Sequence, residues 1–155
     1  MSSLDNRFIC FRLEKEHYAS PLLEVKEVLG VPEITPVPQA PSYFLGIINL
    51  RGQVISVIDL RMKFGLKPNK TTETCVIIFE YPGFCVGAVV DEVESVFSVK
   101  DGELKPPPLN YDGKKKEYLV GVINRGEKLV LALDISRALD LKDTVLTKNL
   151  AQKAA

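Results

Sequence analysis

Tyr43-Phe-Leu-Gly-Ile-Ile-Asn-Leu-Arg-Gly52 returns further along the chain as Tyr118-Leu-Val-Gly-Val-Ile-Asn-Arg-Gly126, one residue shorter. Each copy leads into an aspartate that opens a similar segment, Asp59-Leu-Arg-Met-Lys-Phe-Gly-Leu66 in the first and Asp134-Ile-Ser-Arg-Ala-Leu-Asp-Leu141 in the second. Upstream, Glu24-Val25 with Val28 is echoed by Glu92-Val93 with Val96, and Ile34-Thr-Pro-Val-Pro38 by Leu104-Lys-Pro-Pro-Pro108. The matches keep one order, and their offsets run only from 68 to 75 residues. That period is too long for a solenoid unit and suits one small barrel. The chain reads as two related subdomains, approximately residues 7–68 and 74–146, which could exchange strands, with two related but different faces.

Its 155 residues suffice for one domain, or for two small subdomains sharing a core. Hydrophobic residues make up 46%, enough for a core that needs neither disulfides nor metal. Twenty basic residues balance twenty acidic ones, so no net field draws the protein to nucleic acid or to an anionic membrane. The basic cluster Lys114-Lys115-Lys116 reads as a solvated loop tip. No apolar run approaches the ~20 residues of a membrane helix, and the N-terminal residues lack a signal-type apolar stretch. The expectation is a cytoplasmic protein with no direct membrane insertion. Cys10, Cys75 and Cys85 sit inside apolar runs and read as buried free thiols. No CxxC or similarly close ligand pair occurs, so neither a metal nor a cofactor is expected.

Phe8-Ile-Cys-Phe-Arg-Leu13 reads as a strand, followed by a polar turn and a second short apolar segment that Pro21 ends or places at an edge. Cys75-Val-Ile-Ile-Phe-Glu-Tyr81, a Pro82-Gly83 turn and Phe84-Cys-Val-Gly-Ala-Val-Val90 make a hairpin. Residues 22–29 and 90–96 fit either a helical turn or a continued strand. The prolines between Pro32 and Pro41 favour extended chain. Two further hairpins turn at Arg51-Gly52 and Arg125-Gly126, and Asp59 and Asp134 then cap short helices. Residues 67–73 are the best boundary between halves, 109–117 form a longer loop, and 147–155 a flexible tail. Five short strands per half predict an all-β protein with short helices: two five-stranded β-barrels whose interiors are filled by side chains.

Catalytic chemistry is hard to place. The one histidine, His17, stands where the repeat has Cys85; it reads as an exposed turn residue, with phosphotransfer as the alternative. No phosphate-binding glycine pattern occurs, and pairs such as Asp91-Glu92 have no opposed partner. Arginine before glycine in both hairpin turns is not required by the turn. Arg51 on a rigid tip is a candidate recognition residue, or else an arginine that solubilises the loop.

Gly46-Ile-Ile-Asn-Leu-Arg-Gly-Gln-Val-Ile-Ser-Val-Ile-Asp-Leu-Arg-Met-Lys-Phe-Gly65 resembles the central signature of the CheW-like chemotaxis coupling proteins. Val86-Gly-Ala-Val-Val-Asp-Glu-Val93 is similar to the family's second signature, and the resemblance spans roughly residues 7–146. It implies two five-stranded barrels around a shared core. It also implies a non-enzymatic adaptor that tethers a CheA-type histidine kinase, through its CheW-like regulatory domain, to the cytoplasmic tips of methyl-accepting chemoreceptors in membrane-associated arrays. By the family pattern Arg51, Val89 and Val90 lie at the receptor-binding groove. The segment with Leu22, Val25 and Glu27 takes part in receptor or kinase contact. Where the family carries a Tyr-Gly-Ile-Asp-Ile strand, this chain has Tyr18-Ala-Ser-Pro-Leu22. The competing reading is a small β-barrel that binds nucleic acid or a small ligand, against which zero net charge and filled barrels argue; an enzyme is disfavoured by the missing catalytic groups.

Overall fold

The computed structural model describes residues 6–108 and 118–138. The expected loop at 109–117, its lysine cluster and the tail lie outside the described residues. Strands β1 (Arg7–Leu13) and β2 (Glu16–Pro21) lead through a 3-10 turn (Leu22–Glu24) into β3 (Val25–Gly30). The hairpin β4 (Phe44–Leu50) and β5 (Gln53–Asp59) ends in the one-turn helix α1 (Leu60–Lys63). The second half continues with β6 (Cys75–Tyr81), β7 (Phe84–Val90), β8 (Glu92–Ser98) and the short β9 (Leu104–Lys105). It closes with β10 (Leu119–Arg125), β11 (Lys128–Leu133) and α2 (Ile135–Ala138). The two undecided segments are thus a 3-10 turn running into a strand and a strand, and Pro21 is the last residue of β2.

The protein is mostly β, with two sheets related by the sequence repeat. One sheet has the order β3-β6-β7-β5-β4, the other β8-β1-β2-β11-β10-β9. Position by position, β3, β6, β7, β5 and β4 match β8, β1, β2, β11 and β10. Neither sheet comes from one half alone. The hairpin β6–β7 is inserted beside β3 and β5, and β1–β2 beside β8 and β11. Both insertions are sealed by a parallel pair, β5 with β7 and β11 with β2. Parallel neighbours need a long crossover: from β5 to β7 the chain runs through α1, the connection 64–74 and β6, and from β2 to β11 it passes through the whole of the other sheet. Hairpin exchange ties the two halves together in a way that a local reading of strands does not reveal.

The expected barrels do not close. Each backbone ladder keeps two edges, β3 and β4 in one sheet and β8 and β9 in the other. Side chains bring the curled edges together instead. Lys26 of β3 donates to Gln53 Oε1 at the start of β5, 3.1 Å away. At the matching place Lys128, which starts β11, lies 3.6 Å from Glu94 of β8. Lys26 and Glu94 are each the extra residue of a bulge, skipped in the pairing of β3 with β6 and of β8 with β1. Bulges increase local twist, and these two turn the edge strands back toward the opposite hairpins.

Three apolar clusters follow. The shared core takes Phe11, Leu13 and Tyr18 from one sheet, Ile58, Phe79, Ala88 and Val90 from the other, and Leu131 and Leu133. Ile48, Ile55, Val57, Val76, Ile78 and Val89 fill the five-stranded sheet's own interior. Cys10, Ala19, Ile123, Val130 and Ala132 fill the other. A strand such as β7 is therefore covered on both faces, which is why Val86 to Val90 is continuously apolar rather than alternating.

The repeated glycine of the Tyr-x-x-Gly motif has a steric cause. The proline-rich chain crosses β4 through a bridge between Thr35 and Ile47, and β9 crosses β10 at the equivalent place. A Cβ on Gly46 would lie 2.1 Å from the Thr35 carbonyl oxygen, and one on Gly121 2.5 Å from that of Lys105. Gly46 also has φ +145°. Gly46→Ala is expected to destabilise by at least ~2 kcal/mol through backbone clash and strain. Gly52→Ala, which meets positive φ but open space, should cost about 1 kcal/mol. Equal urea midpoints for the two variants would show that the crossing does not impose the glycine.

Candidate functional site

Arg51 and Gly52 form the two-residue tip between Leu50 and Gln53, with φ of 53° and 85°. Positive φ at both positions is the twist-matched turn that usually selects asparagine or glycine. Asn49 locks it by accepting the Gly52 N–H at 2.9 Å. An arginine held in this conformation is an observed departure from local preference, the kind that marks a site. Its side chain is 73% exposed and donates to Glu27 of β3. The hydrogen bond and charge of Glu27 raise the guanidinium pKa further above its ordinary value. Such an exposed pair adds little stability, but it fixes where both charges point.

Arg51 and Glu27 are thus brought together, from two ends of one sheet. Val25 and Leu22 lie beside them on the same edge and are half-buried, Val25 against the shared core. Leu23 and Val28, exposed by 62% and 41%, complete an edge that is part apolar and part charged. Val89 and Val90 do not belong to this surface. They are 2% and 0% exposed, one in the sheet's own interior and one in the shared core. The run Val86-Gly-Ala-Val-Val90 packs both faces of an inner strand, so neither valine offers side-chain area to a partner.

The matching edge of the six-stranded sheet carries different chemistry. Val96 repeats Val28 and is 49% exposed, but the bulge residue is Glu94 rather than Lys26. The hairpin tip also differs. Both tips are two-residue turns, but Gly126-Glu127 stands where the first copy has Arg51-Gly52, and Arg125, at the position of Leu50, lies inside β10 with its guanidinium 4.3 Å above the Phe97 ring. Arg125 is therefore held against β8 and does not project from a tip as Arg51 does.

The two sheets meet at a buried ionic network. Asp59 caps α1, accepting the Arg61 N–H at 3.0 Å and the Met62 N–H at 3.3 Å. The Arg61 side chain folds back onto Asp59 at 2.9–3.0 Å, and its other nitrogen reaches Asp91 Oδ1 and the Asn69 carbonyl, both at 2.8 Å. Asp91 Oδ2 accepts the Glu14 N–H at 2.7 Å, and the Asp91 N–H donates to Arg12. All three charged residues are at most 5% exposed. Burial lowers the Arg61 pKa, but the hydrogen bonds and charges of Asp59 and Asp91 outweigh it and leave it raised. Asp134 repeats only the cap: its cap bonds go to Ser136 N and Oγ, and Arg137 lies 3.4 Å away at the surface.

The CheW-like domain model matches residues 7–143 of this sequence. The chain belongs to the CheW-like family. It is 32% identical to the chemotaxis protein CheW of Klebsiella aerogenes over 151 residues, covering 97% of this chain and 91% of that one. CheW of Treponema pallidum is 30% identical, with 97% and 92% covered. The protein FrzA of Myxococcus xanthus is 31% identical, with 77% and 74% covered. Among solved structures, the scaffolding protein TtCheW from Thermoanaerobacter tengcongensis superposes with a TM-score of 0.81 at 29% identity, over 90% of this chain and 95% of that one. The double-sheet fold described above is that of the family.

Within this CheW-like frame, two groupings escaped the sequence reading. Arg61 and Asp91 are 30 residues apart and look like ordinary surface charges. His17 is not an exposed turn residue: it lies in β2, with Nδ1 hydrogen-bonded to Glu94, which also takes the Cys10 thiol at 3.6 Å. Burial, with Glu94 beside it, pushes the Cys10 pKa up to about 12. No helix among the described residues is long and apolar enough to cross a membrane.

Removing Arg61 leaves two carboxylates buried without a cation. Arg61→Met is expected to destabilise the protein by ~3–5 kcal/mol, whereas Arg12→Met, at a part-exposed ion pair with Glu92, should cost less than about 1 kcal/mol. Chemical denaturation of the two variants checks this, and near-equal losses would remove the network from the account.

Proposed function

We propose that this protein is a non-enzymatic coupler of chemoreceptors to a CheA-type histidine kinase. The observation that carries the reading is Arg51, held in a left-handed conformation on a rigid tip and aimed by Glu27 while remaining exposed. An enzyme needs converging groups around a reacting atom; this edge offers one fixed cation, one fixed anion and the apolar Leu23 and Val28, which is the composition of a contact surface.

In this reading the Arg51–Glu27 edge receives the cytoplasmic tip of a methyl-accepting chemoreceptor. Leu22 and Val25 lead into this edge strand, Val25 anchoring it in the shared core, while Val89 and Val90 act only by packing the inner strand β7. The kinase engages through its CheW-like regulatory domain, pairing opposite subdomains of two related folds. Heterologous contacts between related domains propagate into rings or arrays, so one adaptor can hold kinase and receptor at high effective concentration. The protein works in the cytoplasm, at membrane-associated receptor arrays. A change in receptor conformation then shifts kinase activity through differential contact with the adaptor.

Charge reversal separates recognition from scaffolding. Arg51→Glu is expected to weaken co-sedimentation with receptor-containing membranes by at least about tenfold, with an unchanged melting temperature. The double variant Arg51→Glu with Glu27→Arg restores the internal pair but reverses the charges offered to a partner, and should remain defective. Recovery of wild-type coupling in the double variant would mean that the pair only braces the turn. Wild-type coupling by Arg51→Glu itself would remove the receptor contact from this edge.

A further inference from the structure

Three donors of different chemistry converge from three adjacent strands of the six-stranded sheet. Cys10 on β1 lies opposite Ala19 on β2, two residues along from His17, so Cys10 and His17 share a face. Glu94 is the extra residue of the β8 bulge, which directs its carboxylate onto both. One ligand atom from each residue lies within 4.8 Å of the others. Cys10 is buried, and the side chains of His17 and Glu94 are 20% and 17% exposed, so the group is enclosed yet reachable. Of the three, His17 also lines a cleft of about 430 Å³ with Lys128 and Leu129.

We propose that Cys10, His17 and Glu94 form a binding site for zinc(II) or a similar borderline-soft divalent metal. Thiolate, imidazole and carboxylate are the zinc donor set, and bond lengths of about 2.0–2.3 Å are reached from the observed spacing by small side-chain rotations. Three protein ligands leave a fourth position for water or for a donor from a partner. Binding releases the thiol proton, and the metal takes the place of the His17–Glu94 hydrogen bond. The fold itself does not require these donors. The repeat places Ile78, Cys85 and Lys26 at the corresponding positions, a set that cannot hold a cation. Lys128, 3.6 Å from Glu94, is a like-charged neighbour that opposes the metal. Short-range ligand spacing does not reveal the site, because its members are up to 84 residues apart and only the exchanged hairpin brings them together.

The test is titration of the untagged full-length protein with cobalt(II) under reducing conditions, read by optical absorption. The expected result is one cobalt per chain, a thiolate-to-cobalt charge-transfer band, and displacement by zinc, with zinc also raising the melting temperature. Cys10→Ser should abolish the band, and His17→Ala and Glu94→Gln should weaken binding at least about tenfold. Cys75→Ser and Cys85→Ser should leave it intact, and Lys128→Ala should tighten it. Absence of a thiolate band in the folded wild type overturns the site. A band that survives in Cys10→Ser overturns it as well, as does one that Glu94→Gln leaves unchanged.

Discussion

The arrangement of the two sheets depends on one guanidinium. Arg61 reaches Asp59 at the start of its own helix, the Asn69 carbonyl in the inter-half connection, and Asp91 at the end of β7. Asp91 in turn holds the β1–β2 turn through Glu14. Four chain segments from both sheets therefore converge on a single buried cation. Such a network need not add net stability over an apolar substitute, but any arrangement that separates its members strands a buried charge. We regard it as the element that selects one docking of the sheets over others that would bury similar apolar area. The repeat does not duplicate it: position 136 is serine, and Asp134 caps α2 without a buried cation.

That asymmetry continues outward. The two edge strands have the same bulge, the same exposed valine and the same hairpin opposite, yet one bulge residue is Lys26 and the other Glu94. One hairpin tip projects Arg51; the other, of equal length, has Gly126-Glu127 there and holds Arg125 on Phe97 one position earlier. A duplicated scaffold has thereby acquired two unlike edges at fixed separation, joined by a common core. In the proposed function these would be the two surfaces of a coupler, different in chemistry and joined by a common core.

Much of this was legible in the residues themselves. The repeated Tyr-x-x-Gly motif, the capping aspartates and the Arg51-Gly52 turn follow from backbone geometry that acts over a few positions, and local sequence reports such geometry well. What escaped is non-local. Hairpin exchange leaves every strand and turn signal unchanged while altering which strands are neighbours. Arg61 and Asp91, or Cys10 with Glu94, are ordinary residues until the exchange places them in contact. Val89 and Val90 are buried on opposite faces of β7, and a family signature by itself does not distinguish surface from support. The open ladders carry a similar lesson, since short strands and turns do not specify whether edges meet through backbone or, as here, through Lys26 and Lys128.

The account stands or falls on simultaneous occupancy of two faces. Sedimentation velocity of the protein mixed with a purified CheA-type regulatory domain and a chemoreceptor cytoplasmic fragment measures this directly. The account predicts binary complexes with each partner and a larger species containing all three. If either partner displaces the other, so that no ternary species forms at saturating concentrations, the protein has one binding face and the account is contradicted.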